Sequence, residues 1–283
     1  MGKISKNTSQ KKEQKTESEE QGYYDALWKN SWELTSSIGP SCRTRFRILL
    51  YLLKKYDVQN KKSSHGSQEK IVDTGCGDGA LLEMLHQHGY QHLYGFDFSK
   101  EAVKKAAQRG IVTQAFWGDL TKKGTLPQEQ FDAVISSEVL EHIGDYRPAV
   151  TNLCKFVKPG GRLFITVPHS MKYWTVHDEF AHHYRRYEYG ALEELLKNNG
   201  LNILESYTWG AFLYHIYYFF LKHGDPEKIM AKAGLVKKFV ANIIYHALKI
   251  DDLFCGVGKR GGRRLIIVAE RPREANTELR DTL

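Results

Sequence analysis

Residues 71–85 read IVDTGCGDGALLEML: a short apolar run, glycine at 75, 77 and 79, then apolar side chains at helical spacing. A chain gives up side chains at alternate positions where its backbone must take positive φ or let something approach closely. The next apolar run, HLYGFDF (92–98), carries an acid, Asp97, near its end. A carboxylate there, about twenty residues past the glycines, can accept hydrogen bonds from both hydroxyls of a ribose. The spacing is G-x-G-x-G and differs from the G-x-G-x-x-G of dinucleotide sites. Asp73 and Asp78 also put negative charge beside the turn, where a pyrophosphate would need an open helix N-terminus. A cationic or zwitterionic ligand suits that turn better; a purely structural tight turn is the other reading.

Strand and helix patterns alternate outward from this turn. Residues 70–75 and 92–98 read as buried strands, 80–88 as a helix, and 100–109 as a second helix with Ser99 as its N-cap. Further strands are expected at 112–117, 131–136 and 162–167, with a helix near 147–157. A helix over 188–199 stopped by Gly200 precedes a strand at 201–207, and RRLIIVAER (263–271) reads as the last strand. Repeated βα alternation with apolar strands predicts a mostly parallel sheet covered on both faces, and right-handed crossovers make it doubly wound.

The 283 residues, 41% of them hydrophobic, suit one large domain or a domain with an appendage. Cys42, Cys76, Cys154 and Cys255 form no C-x-x-C pair, which argues for a reducing, cytoplasmic setting and against structural zinc. No secretory signal is expected, and no run of apolar residues is long enough to span a bilayer. Residues 1–20 are nearly free of apolar side chains and are expected to be a disordered tail. The remainder divides into a helical cap (21–60), a core (61–210), a helical insertion (211–262) and a final strand with a tail (263–283). KKSSHGSQ (61–68) reads as a loop. The net charge of +8 raises nucleic acid and anionic membrane as partners, with an ordinary basic enzyme as the plain alternative.

VDTGCGDGALL, GFDFS, FDAVISSEVLEHI (131–143) and KFVKPGGRLFITVPHS (155–170) together resemble the class I S-adenosylmethionine-dependent methyltransferases over about residues 70–170. The resemblance implies a seven-stranded Rossmann-like sheet with S-adenosyl-L-methionine as cofactor. By motif match, Asp73 and the turn at Gly75, Gly77 and Gly79 flank the methionine moiety. Asp97 holds the ribose, Phe98 lies against the adenine, and Asp119 in WGDL faces the adenine amino group. Ser137 and Glu138 border the methionine and the acceptor. A nicotinamide dehydrogenase, the competing enzyme of this fold class, would need the six-position glycine fingerprint and a proton relay such as Tyr-x-x-x-Lys.

Methyl transfer is an in-line displacement, dominated by positioning, and an O- or N-nucleophile gains from a base. His142, His169 and His183 are the candidates. His183 with Arg185, Arg186 and Tyr187 resembles the H-x-R-R-Y element of a bacterial-type subgroup acting on small or lipid-like acceptors, where it closes over the acceptor site. His142 as a helix cap and His183 as a lid strut are the structural alternatives. A metal held by His177, Asp178, His182 and His183 is disfavoured, because ligands five apart misalign on a helix. Aromatic residues crowd AFLYHIYYFFL (211–221), and 235–250 is basic and amphipathic. We therefore expect a small, largely apolar or lipid-like acceptor, with 235–250 either at a membrane surface or packed as a lid. RNA as acceptor, supported only by KRGGRR (259–264), and a non-catalytic binding scaffold are the alternatives.

Overall fold

A computed structural model describes residues 17–29, 39–58, 69–222, 235–254 and 261–273. In chain order these form α1 (Glu17–Lys29), α2 (Pro40–Lys55), β1 (Ile71–Thr74), α3 (Ala80–Gln87), β2 (Leu93–Asp97), α4 (Lys100–Gln108), β3 (Gln114–Trp117) and β4 (Phe131–Ser137). There follow α5 (Arg147–Phe156), β5 (Val157–Pro168), α6 (Val176–Phe180), α7 (Ala191–Asn198), β6 (Asn202–Trp209), α8 (Leu213–Lys222), α9 (Leu235–Ala247), a 3-10 stretch (Leu248–Phe254) and β7 (Arg264–Glu270).

The seven strands lie in the order β3-β2-β1-β4-β5-β7-β6. β1 to β5 are parallel, while β7 inserts antiparallel between β5 and β6. Chain order reverses between β1 and its two neighbours, so the glycine turn after β1 emerges at the switch point where such sheets bind ligands. All four residues of β1 are buried. Val72, Val134 and Ile165 pack on one face against α5 and α7, and Ile71, Ile135 and Phe164 on the other against α2 and α3. That double covering explains the unbroken apolar runs seen in sequence.

α1 begins at Glu17, ahead of the tail boundary that composition suggests at residue 20. Long-range contacts recruit those polar residues: the Tyr184 hydroxyl donates to Glu20 Oε1 at 2.7 Å. Residues 1–16 and the expected loop at 61–68 lie outside the described residues. The helix expected at 188–199 begins only at Ala191, because Gly190 at φ 97° is its N-cap.

The segment between β6 and β7 is tied to the sheet by two adjacent acids. Buried Asp251 accepts the backbone amides of Phe212, Leu213 and Tyr214 at 2.6–3.1 Å, satisfying donors that the start of α8 would otherwise leave bare. Asp252 accepts from the indole of fully buried Trp209 at 3.0 Å and pairs with Arg47 of α2.

Candidate active site

At the carboxyl end of β1 the amides of Gly75 and Cys76 both donate to the Phe96 carbonyl, at 2.6 and 3.1 Å, binding the turn to β2. Gly75 and Gly77 take φ of 80° and 54°. A Cβ at Gly75 would overlap Val139, and one at Gly77 would overlap the Trp28 indole. Both glycines are therefore required by space as well as by conformation. Gly79 differs, since its neighbours are Ala106 and Arg109 and its role is to seat α3 against α4.

This turn forms one wall of a cavity of about 920 Å³. Of the residues singled out by sequence, Asp73, Gly75, Gly77, Asp97, Phe98, Asp119, Ser137, Glu138, His142 and His183 line it; Gly79 and His169 do not. The Asp97 carboxylate accepts the Gly77 amide at 2.9 Å and the Ser99 amide at 2.8 Å, which fixes it at the mouth of β2. Burial raises its pKa to about 6 against the pull of those amides. Asp73 is raised to about 7, by burial first, with Arg45 opposing and Asp97 adding to the rise. Asp119 is held by Thr121, whose amide and hydroxyl donate to Oδ1 at 2.8 and 2.7 Å.

Helix α1 covers this wall. Asp25 accepts from the Ser99 hydroxyl at 2.5 Å and the Glu101 amide at 3.2 Å, and Lys105 donates to the Trp28 carbonyl at 2.6 Å. On its other side the Tyr23 ring stacks on His182 at 4.0 Å. Glu20, Tyr24, Leu27 and Trp28 thereby line the cavity. None of these four was legible as a site residue, because nothing local to α1 marks its distant partners.

Opposite lie the ends of β4 and β5. Glu138 sits at φ 57°, a costly conformation for a non-glycine residue, and such positions concentrate at functional sites. Burial would raise its carboxyl, yet Arg264, donating from Nε and Nη2 at 3.2 Å each, and Arg45 at 3.8 Å hold it at about 2. Sequence reading missed both arginines. His142 is half-buried, and its pKa falls to about 3, chiefly through desolvation and then the neighbouring His183, whose ring centroid is 4.6 Å away. Among the described residues its Nδ1 has no hydrogen-bond partner, and neither does either carboxylate oxygen of fully buried Glu141. Burial, then Glu138, pushes Glu141 well above the usual carboxylate range. Glu141, His142 and His183 bring one ligand-type atom each within 4.8 Å of one another, a donor set able to hold a divalent ion.

His183 is oriented from behind. Its Nδ1 lies 2.9 Å from Asp178 Oδ1, and Asp178 also accepts Arg186 Nε and Nη2 at 2.9 Å each and the Thr175 amide at 2.8 Å. Asp178 is 1% exposed; burial would raise its carboxyl, but His183 and Arg186 hold it at about 2. So Asp178, weighed in sequence as a metal ligand, is committed to an arginine and a histidine. The rest of H-x-R-R-Y is structural in this arrangement: Arg185 binds the Ile143 and Gly144 carbonyls, and the Tyr187 hydroxyl donates to the Leu140 carbonyl at 2.9 Å. His169 spends Nδ1 on the Gly262 carbonyl at 2.7 Å, on the β7 side of β5 and away from the cavity lining.

The cavity suits the cofactor that the sequence implies. Its lining carries seven Asp or Glu against Arg45 and Lys122, in a chain whose net charge is +8. That is an acidic pocket in a basic protein, matched to a sulfonium cation and opposed to a pyrophosphate.

A family profile described as Methyltransferase domain matches residues 43–206. Among curated proteins, the mitochondrial ubiquinone biosynthesis O-methyltransferase of Dictyostelium discoideum is 29% identical over 154 residues, 48% of each chain. The Aeromonas salmonicida ubiquinone biosynthesis O-methyltransferase is 32% identical over 102 residues, 35% of this chain and 42% of its own. The chain spans about half the length of the curated relatives it matches. Among solved structures, magnesium protoporphyrin IX methyltransferase of Synechocystis PCC 6803 with bound S-adenosylhomocysteine aligns at TM-score 0.57 and 16% identity, covering 90% of this chain and all of that one. The N-methyltransferase NodS of Bradyrhizobium japonicum aligns at 0.54 and 16%, covering 89% of this chain and 98% of its own. At such identity the structural likeness speaks for the fold alone. The matched profile extends over more than half of the chain, and with the sheet order and the acidic, glycine-floored cavity it places this protein in the class I S-adenosylmethionine-dependent methyltransferases.

Proposed function

We propose that the protein methylates an oxygen on a small, largely apolar acceptor, with His183 as the base. The observation that carries this reading is the His183–Asp178 pair at the cavity wall. A carboxylate on Nδ1 fixes the tautomer in which Nε2 holds the lone pair, and it stabilises the imidazolium formed when a proton is taken. His142, with its pKa at about 3, stays neutral beside it and adds no repulsion to that imidazolium. S-adenosylmethionine, when bound, supplies the electrophilic methyl group. Asp97, the Gly77 backbone and Asp119 are the groups we assign to holding it, and the α1 cover to excluding water from the displacement. Tyr24, Leu27, Phe46 and Ile143 offer apolar surface to an acceptor in the same cavity. Curated relatives named as O-methyltransferases support oxygen over nitrogen.

The test is transfer of labelled methyl from the cofactor into cell extract separated into solvent-extractable, water-soluble small-molecule, RNA and protein pools. Label should appear in the solvent-extractable pool and fall about a hundredfold with His183→Ala. Label mainly in RNA or protein would overturn the assignment.

A further inference from the structure

Eight of the thirteen large apolar side chains that stand exposed among the described residues lie within 212–253, so this exposure is a local property and not scatter. On α8 and its entry, Phe212, Ile216 and Phe219 follow the i, i+4, i+7 spacing of one helix face, each at least half exposed, while Tyr214 on the opposite side is buried. On α9, Phe239 (66% exposed), Val240 and Ile243 form a second row, which Ile250 and Leu253 extend past the helix end. Neither helix contains an acidic residue, and together they contain three lysines. Lys238 and Lys249 are exposed beside the α9 row.

We propose that these rows are a docking face for an anionic lipid surface. Large apolar side chains with lysines at their edge complement negative headgroups above an acyl layer, and the two acids between Ile250 and Leu253 are engaged inward, Asp251 on the α8 amides and Asp252 on Trp209 and Arg47. The same charge argues against a second copy of the chain, since apposing two such faces would set lysines against lysines while Asp251 and Asp252 are already engaged within the chain. No helix among the described residues is long and apolar enough to cross a membrane, so contact would be from one side. The face is joined to the cavity. The Tyr214 hydroxyl of α8 hydrogen-bonds Ser41 at 2.7 Å, and Asn242 of α9 accepts from Arg43 at 3.2 Å. Ser41 lines the cavity together with Cys42, Arg45 and Phe46 of the same α2 helix. Docking would thus set the cavity wall one helix from the lipid, where an apolar acceptor partitions; this purpose rests on the acceptor reading above.

The experiment is flotation of the full chain with vesicles of phosphatidylcholine alone or with about a third phosphatidylglycerol, free of any methyl acceptor. Binding should require the anionic lipid. Lys238→Gln with Lys249→Gln should weaken it roughly thirtyfold at low salt, about fivefold per lysine. Phe239→Ser with Ile243→Ser should weaken it a hundredfold or more, with melting temperature and cofactor affinity unchanged. Absence of binding, equal binding to neutral vesicles, or full binding by the Phe239→Ser, Ile243→Ser variant would overturn the proposal. So would a dimer in light scattering that this variant dissolves while wild type ignores vesicles. Because the vesicles hold no acceptor, vesicle binding combined with label in the wrong extract pool would sink the acceptor reading alone.

Discussion

Replacing Asp178 with alanine removes one carboxylate from five donor contacts and strands Arg186, whose side chain is 3% exposed. Among the described residues, only the Tyr218 hydroxyl oxygen at 2.8 Å and the His169 carbonyl at 3.5 Å would remain as acceptors for that guanidinium. Breaking a buried pair from one side typically costs about 3–5 kcal/mol, because the surviving charge stays desolvated. The titration of Asp178 gives an independent gauge. A carboxyl held at about 2 instead of its ordinary 3.8 corresponds to roughly 2.5 kcal/mol. The sign follows from the depression: this stability is complete above about pH 4 and is lost as pH falls towards 2. A chain of this size changes its melting temperature by about 2–4 °C per kcal/mol, so the variant should melt roughly 6–20 °C lower at pH 7. Thermal unfolding by circular dichroism measures it. The double variant Asp178→Ala, Arg186→Met should recover more than half of the loss, since no buried charge is left unpaired. Turnover should fall in both variants, as His183 loses its orienting group. A single variant melting within about 2 °C of wild type with normal turnover would refute both the buried-pair argument and the orienting role.

Gly77→Val places a branched side chain against Trp28 at a left-handed φ, so calorimetry should detect no cofactor binding even if the variant folds. Asp97→Ala should weaken cofactor binding about tenfold to a hundredfold, the usual loss for a charged acceptor. The pH dependence follows from the raised carboxyls: Asp97 at about 6 and Asp73 at about 7 favour the protonated folded state. Their contribution to stability is full below about pH 4 and is lost as pH rises through 6–7 in the free protein. A bound cation favours the carboxylates, so the rise in melting temperature at saturating S-adenosylmethionine should grow from pH 5 to pH 8; a constant rise would contradict the assignment. His142→Ala should lower turnover with cofactor affinity unchanged, measured as kcat against Kd.

The parallel core and the glycine-turn wall of the cavity were legible in sequence because their determinants are local. Strand β1 needs only an apolar run, Gly75 and Gly77 answer a backbone conformation that few other residues adopt, and Asp97 ends β2 while Asp119 lies just past β3. The opposite wall was not legible in the same way. Glu138 acquires its partner Arg264 from 126 residues away and Arg45 from before the first strand. The cover of the cavity comes from a helix whose first residues look like tail. His169 looked like His183 in the chain, each a histidine beside a strand or lid, yet it pairs with the Gly262 backbone while His183 meets Asp178. What a side chain does after it leaves a strand is decided by whichever elements pack against it. Here the antiparallel insertion of β7 beside β5 brought Gly262 to His169 and Arg264 to Glu138. That pairing leaves no local mark in sequence, because its stabilisation arises only once chain segments a hundred residues apart have closed on one another.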